Sequence, residues 1–212
     1  MKIKKGKWKS KMKNKILILC GKSGSGKDFI QRQLIKNENF KQIVSWTSRP
    51  KRENETEGVE YHFCSKREFE YMIKQNKLIE YRSYNTLLNG KEDTWYYGIL
   101  KEDLDLENER YVVILDLNGA KSFYDYYGKE NCHCVYIEAM NEVRTERAKK
   151  RGSFDETEWN RRLKADEEDF EIHKVAEISD RIFINNSNSN KEKILKGVLY
   201  GYWQYWKIYL RK

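Results

Sequence analysis

Ile16-Leu17-Ile18-Leu19-Cys20 runs directly into Gly21-Lys22-Ser23-Gly24-Ser25-Gly26-Lys27, and the rest of the chain is arranged around this junction. Five consecutive apolar residues leave no polar face, which suits a central parallel strand covered by helices on both sides. The glycines let the backbone turn so that several N–H groups converge on one oxyanion. A helix starting near Lys27 adds the partial positive charge of its N-terminus. Gly-x-x-x-x-Gly-Lys between a buried strand and a helix is the P-loop arrangement. It assigns Gly21, Ser23, Gly24, Ser25, Gly26 and Lys27 to ATP phosphates, with the Lys27 ammonium on the β- and γ-phosphates. A glycine-rich turn without a ligand is the plainer reading, and the flanks on both sides argue against it. Asp28 follows where the pattern has Ser or Thr. A carboxylate is a hard oxygen ligand, so Asp28 is the candidate ligand for the Mg2+ that accompanies ATP, directly or through water, or else a helix-start charge.

Outward from the junction, strands and helices alternate. Lys27 to Lys36 reads as a helix with Phe29, Ile30, Leu34 and Ile35 apolar. Further strands are predicted at Ile43-Val44, Tyr111 to Leu115, Val135 to Ile137 and Arg181 to Ile184, and further helices at Lys66 to Lys74, Gly119 to Tyr127, Asn141 to Lys150 and Glu156 to His173. Ile194, Leu195, Val198, Leu199, Tyr202, Trp203, Trp206, Tyr209 and Leu210 recur at helical spacing and are expected to pack on the sheet. The alternation gives an α/β fold with a mainly parallel sheet flanked by helices, of the P-loop NTPase type.

With 39 % apolar residues in 212, the chain can build a core despite its 35 % charged fraction. No apolar run approaches the length of a membrane span, and the N-terminus lacks the apolar segment of a secretion signal, so a cytoplasmic protein is expected. Cys132-His133-Cys134 would place both sulfurs on one strand face. Two more metal ligands have no obvious source, which favours buried thiols. Residues 1–15 hold eight lysines and no acid, so most of the net charge of +9 belongs to this leader. Residues 1–14 read as a flexible basic tail. Nucleic acid is an unlikely partner, because no aromatic base-binding module follows the tail.

A P-loop does not choose an acceptor. Ser45-x-x-x-Arg49-x-x-Arg52-x-x-Glu55-x-x-Gly58-x-x-Tyr61-x-Phe63 offers a second anion grip, in which two arginine forks hold a phosphate and a tyrosine hydroxyl completes the set. Alternatively, these charges decorate a surface loop. With this motif the chain resembles the guanylate kinase family, from about Lys15 to Asn186. The resemblance implies that Arg49, Arg52, Tyr61 and Tyr97 hold the phosphate of GMP, that Ser45 and Glu80 meet guanine, and that Asp116 belongs to the same site. Glu80 also has its own chemical logic. A carboxylate accepts from guanine N1–H and the exocyclic amine, whereas the N1 acceptor of adenine would leave it unpaired.

Arg147, Arg151 and Arg162 match the family's lid arginines in spacing, which implies that they close over the ATP phosphates in catalysis. Asn185 falls where the family contacts adenine. The implied protein has a core, a small GMP-binding sub-domain near residues 45–100 and a helical lid near 140–170. It would transfer phosphate from Mg·ATP to GMP, or to its deoxy counterpart. Three positions depart from the family. Ile99 replaces a hydroxyl residue after Tyr97-Gly98, Thr86 to Thr94 reads as an inserted loop, and Ile114 replaces an aspartate. These keep open a kinase for another small phosphate acceptor. A non-catalytic guanylate-kinase-like interaction module is the other alternative, and the retained Lys27 and lid arginines argue against it.

Overall fold

The computed structural model describes residues 15–53, 55–88, 91–101, 104–150, 154–186 and 195–199. Strand β1 (Ile16–Cys20) lies at the centre of a five-stranded sheet. Its neighbours are β7 (Arg110–Ile114) and β8 (Cys132–Glu138), and β2 (Phe40–Gln42) and β9 (Arg181–Ile184) form the edges. Every pairing in this sheet is parallel. Successive β1 side chains face opposite sides, and both sides are covered. Ile16, Ile18 and Cys20 pack with Val113, Cys134 and Tyr136 beneath helices α3 (Leu117–Tyr127) and α6 (Ile172–Ile178). Leu17 and Leu19 pack with Val112, Val135 and Ile137 against Ile30 and Leu34 of α1 (Lys27–Glu38). Each buried aliphatic side chain contributes about 1.5–3 kcal/mol, so the apolar run both defines β1 and holds the two layers to it.

A second sheet of order β4-β3-β6-β5 stands beside the first. Two of its strands are very short, β3 (Trp46–Thr47) and β4 (His62–Phe63). The other two, β5 (Leu78–Leu88) and β6 (Lys91–Leu100), form a long antiparallel hairpin. Helix α2 (Lys66–Lys74) starts on a capping box, in which Ser65 Oγ accepts from Glu68 N and Glu68 Oε2 accepts from Ser65 N at 2.7 Å. Its Phe69 is fully buried and stacks on Tyr96. Helices α4 (Asn141–Lys149) and α5 (Glu156–Asp169) follow β8. Among the described residues, no helix is long and apolar enough to cross a membrane.

Three expectations need correction. The second strand is Phe40–Gln42 rather than Ile43-Val44. Phe40 is buried there, and Ile43 makes the last contact with β7 by donating its N–H to Val112 O. The helix expected from Glu156 to His173 breaks at Phe170, whose ring turns into the core beside Tyr136. Thr86 to Thr94 is not a loop. Thr86 pairs with Asp93 and Leu88 with Lys91, so the segment extends the hairpin. Cys132 and Cys134 do share one face, and Cys134 Sγ lies 3.4 Å from Cys20 Sγ. Of the C-terminal stripe, Leu195, Val198 and Leu199 pack on the sheet in the helical segment 195–199, while Ile194, Tyr202, Trp203, Trp206, Tyr209 and Leu210 lie outside the described residues. So does the lysine-rich tail.

Candidate active site

The loop between β1 and α1 sits at the carboxyl end of the sheet, where doubly wound sheets bind ligands. Gly26 caps α1 with φ 103°, and a Cβ there would stand 2.5 Å from Asn185 Nδ2. At Gly24 (φ 77°) a Cβ would stand 2.9 Å from the backbone oxygen of Arg144. Only glycine permits this backbone to close against its neighbours. Lys27 Nζ donates to Gly21 O at 2.6 Å and to Lys22 O at 3.1 Å, so the ammonium curls over the loop. Burial lowers its pKa, while the Asp28 and Asp166 carboxylates oppose that shift. Ser25 is fully buried, and its hydroxyl has no hydrogen-bond partner among the described residues. A glycine loop at a helix N-terminus, with a buried hydroxyl and an ammonium, is chemically suited to a polyphosphate. Asp28, exposed at the first turn of α1, presents a hard oxygen ligand beside it, which fits a divalent cation.

Helices α4 and α5 are fastened to the outer side of this loop. Arg147 donates to Gly24 O and Ser25 O at 3.3 and 3.2 Å and to Asn185 O at 2.9 Å. Asn185 is buried and donates to Ser25 O at 2.7 Å, so its amide braces the loop from behind. Arg162 instead pairs with Glu158 at 2.8 Å on the exposed face of α5. With Arg161, it holds the Glu158 carboxyl down at about 2. Arg151 lies outside the described residues.

The strongest tie between α4, α5 and the loop was not foreseen from the sequence. Arg144 is fully buried; its Nε donates to Ser23 O at 2.7 Å and its Nη2 to Asp166 Oδ2. Asp166 Oδ2 also accepts from Ser23 N at 2.9 Å. In the sequence, Arg144 is one of several basic residues on an exposed-looking helix, and Asp166 opens an acidic run. Only the burial of both singles them out.

On the second sheet, Arg49 is buried, donates to Glu55 Oε1 at 2.6 Å and lies 5.6 Å from the Tyr61 ring centre. Glu55 Oε2 accepts from Arg52 N at 2.9 Å, so one carboxylate organises the loop that carries both arginines. The Arg52 side chain is exposed. Tyr61 meets Tyr97 edge-on at 5.7 Å, and Tyr97 in turn interacts with the Arg49 guanidinium. Ser45 O accepts from His62 N at 2.9 Å at the start of β3. Burial pushes the Tyr61 hydroxyl pKa up, and the charge of Asp28 adds to that shift. Asp28 is therefore within electrostatic reach of both Lys27 and Tyr61.

Glu80 lies on β5 with its side chain only 11 % exposed. Burial pushes its carboxyl up to about 7, against the opposing charge of Arg82. At Gly98 a Cβ would stand 2.7 Å from Glu80 O and 2.9 Å from Tyr81 Cβ, so glycine lets β5 and β6 close at this carboxylate. Ile99 pairs with Glu80 across the strands and is fully buried in the core, which explains an apolar residue there. Asp116 caps α3 by accepting from Gly119 N at 2.7 Å, and it binds Arg82 through both oxygens.

A family model described as "Guanylate kinase" matches residues 13–201. The guanylate kinase of Mycoplasma mobile is 38 % identical over 122 residues, which is 55 % of this chain and 57 % of that protein. That of Clostridium tetani is 33 % identical over 157 residues, 72 % of this chain and 71 % of that protein. That of Malacoplasma penetrans is 28 % identical over 193 residues, 89 % and 93 % of the two chains. The chain thus spans little more than half the length of the first of these relatives and nearly all of the third. The crystal structure of guanylate kinase from Anaplasma phagocytophilum shares the fold, with TM-score 0.59 at 19 % identity over 91 % of this chain and 87 % of that one. With the family model matched over residues 13–201 and a relative one-third identical over most of both chains, this protein belongs to the guanylate kinase family.

Proposed function

We propose that this chain transfers the terminal phosphoryl group of ATP to GMP, giving ADP and GDP. The observation that carries the reading is that one chain, matched by the guanylate kinase family model, holds both a P-loop with Lys27 folded over it and a second loop in which Glu55 organises Arg49 and Arg52 beside Tyr61. The loop amides and Lys27 hold the ATP phosphates. Arg49, Arg52, Tyr61 and Tyr97 hold the GMP phosphate, and Ser45, Glu80 and Asp116 form the base side. The four-stranded sheet serves as the acceptor sub-domain and α4–α5 as the lid, from which Arg147, Arg151 and Arg162 stabilise charge on the moving group. Asn185 braces the donor loop beside the adenine end. Mg2+ arriving with ATP neutralises phosphate charge, and Asp28 would hold it. A cytoplasmic setting belongs to the same proposal.

An ADP-release assay over GMP, dGMP, AMP and a sugar phosphate tests the proposal. GMP is expected to be the preferred acceptor, and Lys27→Ala to lower kcat by about 10²–10³-fold, the usual cost of one lost charge-stabilising donor. AMP or the sugar phosphate outpacing GMP would replace this reading with that of a kinase for another acceptor. An inactive but folded wild-type chain would favour the interaction module.

A further inference from the structure

Arg82 stands two residues beyond Glu80 on β5 and has no part in the roles assigned above. Its Nε and Nη2 form a fork on Asp116 at 3.0 and 2.8 Å. Its Nη1 donates to Tyr81 O at 2.9 Å and lies 3.6 Å from Glu80 Oε2. A guanidinium held at three atoms cannot swing away, so its charge is fixed beside a carboxylate that is nearly enclosed. We propose that Arg82 is a specificity-determining residue of the acceptor site, acting through Glu80: anchored by Asp116, it keeps the Glu80 carboxylate an acceptor of two hydrogen bonds, and so selects a base that presents N–H donors. This rests on the reading of that site as the GMP pocket.

The chemistry runs in one direction. Guanine offers N1–H and an exocyclic N–H on one edge, and an ionised carboxylate accepts both. A protonated carboxyl has one acceptor fewer and a donor of its own, which suits the N1 of adenine. The ionisation of Glu80 therefore sets the base preference. Three influences meet at this carboxylate. Burial pushes its pKa up, Arg82 on the same strand pulls it down, and Asp116 at the start of α3 raises it. Tyr84 and Asp169 lie within electrostatic reach of the Arg82–Asp116 pair. Lys174 acts on Asp169 and Arg161 on Tyr84, while among the described residues Arg82 is the cation named at Glu80 itself. Removing it must raise the Glu80 pKa further, so the loss of GMP use on acidification must begin at a higher pH.

The test is the pH dependence of kcat/KM for GMP, which reports ionisations in the free enzyme, measured on wild type, Arg82→Ala and Arg82→Lys alongside the KM for ATP. For Arg82→Ala, the acid limb is expected to move upward by about one pH unit or more, with about a tenfold loss of kcat/KM for GMP below it. The ratio of GMP to AMP use should fall by a similar factor, with the KM for ATP unchanged. Arg82→Lys keeps the charge and should leave the limb near its wild-type position. Should the alanine variant fail to fold, Arg82→Gln, which retains a donor for Asp116, gives the same comparison. An acid limb and a GMP:AMP ratio that stay unmoved in a folded, active variant would overturn the proposal and leave Arg82 a mere tether. Wild-type enzyme that does not phosphorylate GMP at all would instead overturn the functional reading, so the two failures are distinct.

Discussion

Arg144 and Asp166 form the most deeply buried ion pair at the donor loop, and both also bond Ser23. Such a pair adds little against a well-packed apolar replacement, but removing one partner strands the other charge, at about 3–5 kcal/mol. Arg144→Ala should therefore lower unfolding stability in urea by about that amount. A change under about 0.5 kcal/mol, the range of ordinary surface substitutions, would show that the pair does not brace the loop. At this scale the sequence was legible where chemistry and spacing coincide. Lys27, Arg49, Tyr61 and Glu80 each occupy a motif position; Lys27 folds over the P-loop, Arg49 lies against the Tyr61 ring, and Glu80 is a largely enclosed carboxylate on β5. Arg144, Asp166 and Arg82 carry no motif. Their neighbours come from other elements, so burial and pairing could not be read from their local sequence.

The hairpin β5–β6 supplies Glu80, Arg82, Tyr97 and Gly98, and its tight closure depends on the one residue without a side chain. Gly98→Ala should push β5 from β6 at Glu80, lowering stability by about 1–3 kcal/mol as overpacking does. Because the proposed acceptor site takes in Tyr97 and Glu80, the KM for GMP should rise more than that for ATP. Equal effects on both would mean that the strand contact serves folding alone. The hairpin's extension was misread as a loop because no motif covers it, although Asn89-Gly90 between strand-like flanks is a strong hairpin signal. The break between α5 and α6 was hidden for a different reason. Phe170 fits a helical stripe in sequence, and only its contact with Tyr136 turns it out of the helix.

Two sheets with different logic share the molecule. The parallel sheet was readable because its central strands are apolar on both faces. The first half of the second sheet was visible only through its motif residues, since β3 and β4 span two residues each and leave no periodic trace. The Arg82–Asp116 fork ties β5 of the second sheet to α3 of the first. If donor and acceptor surfaces border one space, a single ligand can span both, and linking the two halves should multiply their affinities through effective concentration. A compound joining adenosine and guanosine through a chain of five phosphates measures this directly. It should bind at least about 10²-fold tighter than ATP or GMP alone, compete with both, and weaken with either Lys27→Ala or Arg49→Ala. Binding no tighter than ATP, with GMP still able to bind beside it, would contradict the shared site.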